Sequence, residues 1–273
     1  MRRPREVNGS GRQLSREWDS CTYQRISNPQ LGWGKKVLDR LKLRGDETVI
    51  DAGCGTGRLT QLLVDMLPKG RVIAADLSQN MLRSGRENLA RAHGRIFWVA
   101  VDLQHLPFEQ VCDGIFSTAA FHWVKDHNQL FRCLFSVLKP GGWLEAQCGG
   151  GENLRRLVER ADKLLGSSTL QPYFHGWTSP WVFANPQDTA ERLNKAGFVV
   201  LGSGLEYAPV QLADAAAFRE YMSSVVFHQH LRRISEPKLQ QEFIEHLTSE
   251  AASDDPPFVL DYWRLNMSAR RPA

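Results

Sequence analysis

The sequence predicts a doubly wound, largely parallel α/β sheet, and three observations carry that prediction. Apolar runs of strand length alternate with stretches of helical periodicity from residue 49 to residue 148. The first run opens into a glycine-rich turn, and the runs that follow it end on acids, Asp76 and Asp102. Such an alternation implies parallel strands joined by helical crossovers, with ligands bound beyond the carboxyl ends of the strands.

Residues 17–34, with Trp18, Tyr23, Arg25 and Trp33, form an aromatic and polar entry segment without a clear period. A short helix follows, since Val37, Leu38 and Leu41 have helical spacing ahead of the Gly45-Asp46 turn. Val49-Ile50-Asp51-Ala52 reads as the first strand. Leu59, Leu62, Leu63, Met66 and Leu67 recur at i, i+3, i+4, i+7 and i+8, an amphipathic helix that ends near Pro68 and Gly70. Residues 72–76 give the second strand, 81–89 a helix, 96–103 a third strand ending at Asp102, and 113–119 a fourth. A helix over Leu130, Phe131, Leu134, Val137 and Leu138 stops at Pro140-Gly141-Gly142, and residues 143–148 give a fifth strand.

Past Gly149-Gly150-Gly151 the pattern changes. Leu154, Leu157, Val158, Ala161, Leu164 and Leu165 mark another amphipathic helix, and residues 167–184 are loop-like and aromatic. A helix over 188–196, strands over 197–201 and 205–209, a helical portion over 213–250 and a last strand over 262–269 complete the chain.

With 273 residues, 42% of them apolar, the chain can bury a full core. Its formal charge of +4 is matched by residues 1–16, where Arg2, Arg3, Arg5, Arg12 and Arg16 face only Glu6. The remainder is close to neutral, which disfavours the basic stripe of a nucleic-acid partner and a polybasic membrane anchor. No run approaches the roughly 18 apolar residues of a membrane span, and no apolar leader is visible, so a cytoplasmic location is expected. Five cysteines without C-x-x-C spacing (Cys21, Cys54, Cys112, Cys133, Cys148) read as buried thiols of a reducing compartment, and no grouping has metal-ligand spacing.

Gly53, Gly55 and Gly57 stand at alternate positions behind Asp51. Glycines there allow positive φ and leave a surface without Cβ atoms for a cofactor. A dinucleotide fingerprint needs G-x-G-x-x-G, but residue 58 is Arg. A carboxylate at position 51 would oppose a pyrophosphate and suit an ammonium. The segment closely resembles motif I of class I S-adenosyl-L-methionine (SAM)-dependent methyltransferases.

That resemblance implies a Rossmann-like seven-stranded sheet with an antiparallel last strand, SAM as cofactor and S-adenosyl-L-homocysteine as product. It implies Asp51, Gly53, Gly55 and Gly57 around the methionyl part, and Asp76 on the ribose hydroxyls with Leu77 beside it. Asp102 falls on the adenine amino group, Leu103 on the ring, and Ala119 faces the methyl donor. The implied organisation is a disordered basic tail (1–16), a SAM-binding core (17–150, continued by 186–209 and 256–273), and helical and aromatic cap insertions (151–185 and 210–255).

Outside the cofactor motifs, Tyr23-x-Arg25, Phe121-His122-Trp123-Val124, Leu231-Arg232-Arg233-Ile234 and Tyr262-Trp263-Arg264-Leu265 resemble the trans-aconitate 2-methyltransferase family. His-Trp after the fourth strand also resembles insect juvenile hormone acid methyltransferases and the malonyl-carrier-protein methyltransferases of biotin synthesis. These families esterify carboxylates, which implies O-methylation of a small organic acid. At His122 the family often carries Gln, which leaves the identity of the acid open.

A carboxylate, with a reference pKa of about 4, is already ionised at neutral pH and needs no general base. Its burial does need donors, and the candidates are Arg25, His122, Trp123, His175 and Arg264, with Tyr23 and Trp177 as further substrate contacts. His122 and Trp123 are the catalytic candidates and the others are substrate contacts. Trp123 serves equally well as core, and Arg25 and Arg264 equally well as structural ion pairs. His127, His228 and His230 read as surface or packing residues. The aromatic insert over 173–183, with His175 and Trp177, reads either as an apolar lid, favouring a more hydrocarbon acid, or as a satellite core. Methylation of a hydroxyl or amine with His122 as base, a non-catalytic SAM-binding module, and a NAD-dependent oxidoreductase are the competing readings. The expected partner is a small-molecule acceptor, bound by a monomer or homodimer.

Overall fold

The computed structural model describes residues 17–90 and 94–273, so the basic tail lies outside the described residues. Two helices precede the sheet, α1 (Ser20–Ile26) and α2 (Asn28–Leu38). They occupy the entry segment that lacks a clear period: α1 buries no residue fully, and α2 buries only Trp33, Gly34, Val37 and Leu38. Leu41 lies past the end of α2, outside the helix that its spacing predicts.

Then β1 (Thr48–Ala52), α3 (Arg58–Asp65), β2 (Arg71–Asp76), α4 (Gln79–Asn88), β3 (Ile96–Ala100), β4 (Cys112–Thr118), α5 (His127–Val137) and β5 (Leu138–Gly149) follow in order. β1 to β5 pair in parallel, and burial on both faces of β1 and β4 explains their continuous apolar runs. β3 stops at Ala100, short of Asp102, because the Asp102 carboxylate accepts the Gln104 N–H at 2.9 Å and turns the chain. β5 starts at Leu138, not after the Pro140-Gly141-Gly142 stop. Leu138 pairs with Cys112, and the register shifts before Gly114 meets Trp143, so the proline and glycines sit in an irregular stretch.

The chain continues through α6 (Arg155–Leu165), α7 (Pro186–Lys195) and β6 (Val199–Tyr207), one continuous strand where the sequence suggests two. A short ribbon that the sequence does not signal, β7 (Val210–Gln211) with β8 (Val259–Leu260), brackets α8 (Ala215–Tyr221), a π-helical turn (Met222–Val226), α9 (His228–Leu231) and α10 (Pro237–Ala252). The last strand, β9 (Trp263–Arg270), inserts antiparallel between β5 and β6. The sheet order is β3-β2-β1-β4-β5-β9-β6, the Rossmann-like arrangement.

One apolar cluster gathers Ile50, Ile115, Leu130, Leu134 and Leu144, and another gathers Val49, Leu63, Val72, Leu82 and Phe116. Side chains of β1 and β4 alternate between the two, as strands buried on both faces require. A third joins α2, α6, the aromatic insert and the later helices through Trp33, Leu157, Trp181, Phe218, Phe227 and Phe243. Cys54, Cys112 and Cys148 are buried thiols, whereas Cys21 is exposed because α1 lies on the surface, and Cys133 on α5 is half-buried. Among the described residues, no helix is long and apolar enough to cross a membrane.

Gly114 on β4 lies directly under the Trp143 indole, and a Cβ there would overlap the ring. Gly114→Ala is therefore expected to cost about 1–3 kcal/mol through overpacking. A lowered urea midpoint with an unchanged slope checks it.

Candidate active site

Strand order reverses between β1 and β4, so the loops after them diverge and open a crevice at the carboxyl edge of the sheet. The loop after β1 holds Gly53, Gly55 and Gly57 at φ of +84°, +54° and +82°, a left-handed run that glycine adopts without strain. A Cβ at Gly53 would strike Ala120, whereas one at Gly55 meets nothing within 4 Å. Gly55 thus faces open space. Its N–H donates to Asp76 Oδ2 at 2.9 Å, while Ser78 N–H donates to Oδ1 at 2.9 Å.

The crevice, a cavity of about 130 Å³, is lined by Gly53, Gly55, Asp76, Leu77, Asp102, Leu103 and Ala119. Leu77, a large apolar side chain left 44% exposed, lies on its wall. Asp51 lines an adjoining recess with Gly53, Gly55 and Arg58. Gly57 lines neither: it caps α3, and a Cβ there would come within 3.0 Å of Leu89 and 3.1 Å of Trp98, so its glycine is needed for the turn and the helix contact.

Asp51 is 2% exposed and has no ion-pair partner among the described residues; its Oδ2 accepts the Thr60 hydroxyl at 2.6 Å. Burial, opposed by that bond and reinforced by Asp76, pushes its carboxyl up to about 7. Burial also raises Asp76, against the backbone N–H groups that hold it down.

A second, smaller chamber shares Trp18, Tyr23, Ala119 and Trp123 with the crevice. His122, in a 3-10 turn after β4, lines it and is 9% exposed. The Gly149 N–H donates to His122 Nδ1 at 3.2 Å, which leaves the imidazole proton on Nε2. Burial, with Arg264 nearby, holds the ring well below the usual histidine range, so it stays neutral. Tyr23 is likewise held protonated by burial.

Arg264 enters the chamber from β9, 2% exposed. Its guanidinium lies 4.3 Å over the Trp33 ring and makes one long hydrogen bond, 3.4 Å from Nε to Gln147 Oε1. It has no carboxylate partner among the described residues. Sequence reasoning offered it a structural ion pair, and the structure withholds one.

Three other candidates do not reach the chamber. Arg25 is exposed and paired with Glu220, because α1 turns that face to solvent. His175 is exposed beside a surface depression. Trp177 packs on Phe174 and His230 under Arg233. Of the insert, Trp181 and Phe183 reach the chamber instead and stack on each other at 5.7 Å. His127, His228 and His230 are packing residues, His228 lying against Trp18. Sequence reasoning missed Trp18, Gln30, Asn153, Val225 and Val226 as lining residues; they come from segments with no shared spacing.

A family model described as a methyltransferase domain matches residues 49–142, the stretch from β1 into β5 that holds the glycine turn, Asp76, Asp102 and the His122 turn. Residues 49–142 are thus similar to a methyltransferase domain. Among curated relatives, the chain is 36% identical over 131 residues to trans-aconitate 2-methyltransferase of Variovorax paradoxus, covering 48% of this chain and 49% of that one. To the enzyme of the same name from an Azoarcus species it is 35% identical over 162 residues, 57% and 62% of the two chains. The chain thus spans about half the length of the first relative. Phosphoethanolamine N-methyltransferase 2 of Haemonchus contortus, solved with SAM, superposes with a TM-score of 0.60 at 19% identity, over 93% of this chain and 57% of that one. At that identity the likeness speaks for the fold. The matched stretch supplies most of the crevice, whereas much of the second chamber is built from residues on either side of it.

Proposed function

We propose that the chain is a SAM-dependent O-methyltransferase that esterifies the carboxylate of a small organic acid. The carrying observation is Arg264, a buried guanidinium without a carboxylate partner, in a chamber that adjoins the cofactor crevice. Burying an unpaired ion costs several kcal/mol, so an anionic acceptor is the missing counter-charge.

The residues of the crevice fit SAM. Each oxygen of Asp76 accepts one backbone N–H and keeps a lone pair for a ribose hydroxyl. Asp51, buried without a cation, suits an ammonium, and Gly55 leaves the adjacent surface open. Leu77 and Leu103 give an apolar rest for a base beside Asp102. When bound, SAM supplies an electrophilic methyl group.

The remaining chemistry is positional. Arg264 neutralises the acid and fixes its direction, and His122 Nε2–H donates to it. Trp18, Tyr23 and Trp123 stand between crevice and chamber and keep water out. No proton has to move, because the acid arrives ionised. A hydroxyl or amine acceptor would need a base, and His122 is ill suited: its Nδ1 is occupied by Gly149 N–H and its Nε2 bears the proton. The curated relatives named trans-aconitate 2-methyltransferase support the same reading.

The test is a panel of acids, phenols and amines incubated with methyl-labelled SAM. Label is expected in acids; label confined to phenols or amines would overturn the proposal. With a productive acid and saturating SAM, kcat is expected to stay level from pH 6 to 9, since His122 remains neutral throughout. His122→Phe is expected to lower kcat about 10- to 100-fold, the worth of a hydrogen bond to a charged group, without a new pH dependence. A wild-type rate that falls toward pH 6 with an inflection that His122→Phe abolishes would instead mark a base.

A further inference from the structure

We propose that the acceptor is a monocarboxylate with an apolar body, an aryl or alkyl acid, and not a polycarboxylate; this rests on the carboxylate reading above. Arg264 is the one cationic side chain that lines the chamber among the described residues. His122 beside it is neutral. Arg58, in the adjoining recess, is already bound by Gln24 O, Ser27 Oγ and Asn28 Oδ1.

The rest of the wall offers no second cation: its other polar side chains, Tyr23, Gln30, Asn153 and Tyr262, are uncharged. Trp123, Leu154, Trp181, Phe183, Val225 and Val226 form an apolar box. Trp181 and Phe183 stack with planes 11° apart and belong to the packed cluster of the helical layer, so the box is held in shape. Gln30 also lines it, with Nε2 donating to Tyr221 at 2.7 Å and Oε1 buried without a partner, an acceptor that repels a further carboxylate. Asp51 and Asp76 add negative charge on the cofactor side. One carboxylate meets Arg264, and each additional one would be buried unpaired. The hydrocarbon of a monoacid, by contrast, gains about 25 cal/mol for each Å² that the aromatic walls remove from water.

The experiment compares kcat/KM for cinnamate, octanoate, trans-aconitate and trans-aconitate dimethyl ester, which keeps the tricarboxylate skeleton with one free carboxylate. Binding of each acid to the S-adenosyl-L-homocysteine-loaded protein is followed by tryptophan fluorescence, because Trp18, Trp123 and Trp181 line the chamber. Cinnamate or octanoate is expected to exceed trans-aconitate by at least about 100-fold, and the dimethyl ester to exceed its parent. Equal or better use of trans-aconitate would overturn the inference and leave carboxylate methylation standing. Turnover of phenols or amines with no acid bound or methylated would overturn both.

Discussion

Arg264→Met is expected to lower kcat/KM for a productive acid by about 1,000-fold while making the folded chain more stable. Removing one partner of a buried charge pair costs about 2–5 kcal/mol, and here the whole cost falls on the complex with the acid, since the free protein offers Arg264 no anion. In the free protein the guanidinium is a liability: it is 2% exposed, with one 3.4 Å hydrogen bond and the Trp33 ring as compensation. Cation–π contact returns about 2 kcal/mol at best, less than the desolvation of an unpaired ion. Methionine keeps much of the volume and a sulfur contact with the ring, so a gain of about 1–3 kcal/mol is expected by denaturant titration. SAM affinity should not change. A variant that keeps activity within tenfold would place the acid elsewhere, and one that loses stability would make Arg264 a structural residue.

Asp51→Asn separates function from stability in the same manner on the cofactor side. The folded protein holds the Asp51 carboxyl at about 7, whereas the unfolded chain ionises it at about 4. The folded state therefore binds more protons between those values, and stability falls as pH rises from about 4 to about 7, then levels. Asparagine has no such slope and can still accept the Thr60 hydroxyl. The variant is expected to gain on the wild type progressively over that range, reaching a few kcal/mol at pH 8. SAM affinity is expected to fall about 10- to 100-fold through the loss of a charge-assisted contact. Melting curves at pH 5 and pH 8, with and without SAM, read both effects. A pH-independent difference in stability would mean that Asp51 is not the buried acid described here.

Much of the sheet is legible in the sequence because parallel strands are buried on both faces, so Val49, Ile50, Val72 and Ile115 stand in unbroken apolar runs. The glycine turn is legible because positive φ leaves a mark that few other residues can make. That same mark does not say which way a glycine faces: Gly55 opens to the crevice, Gly57 is filled by Leu89 and Trp98, and in sequence they look alike. Arg25 and Arg264 pose the same difficulty. One is buried only because β9 inserts between β5 and β6, a pairing between residues more than 50 apart in the chain that no local period encodes. The chamber is the least legible part. Its walls come from α2, Asn153, the insert, the π-helical turn at Met222–Val226 and β9, which meet only once the chain is folded. Strand ends at Ala100 and Leu138 depend on an aspartate turn and a register shift, which also arise from tertiary context.

The kind of bond formed in the product is the most direct test of carboxylate methylation. The protein would be incubated with methyl-labelled SAM and its best acid, and the purified product treated with dilute alkali. An ester releases the label as methanol, with recovery of the acid, and its formation should disappear in Arg264→Met; that is the expected result. Label that survives alkali, as a methyl ether or methylamine does, would contradict the account.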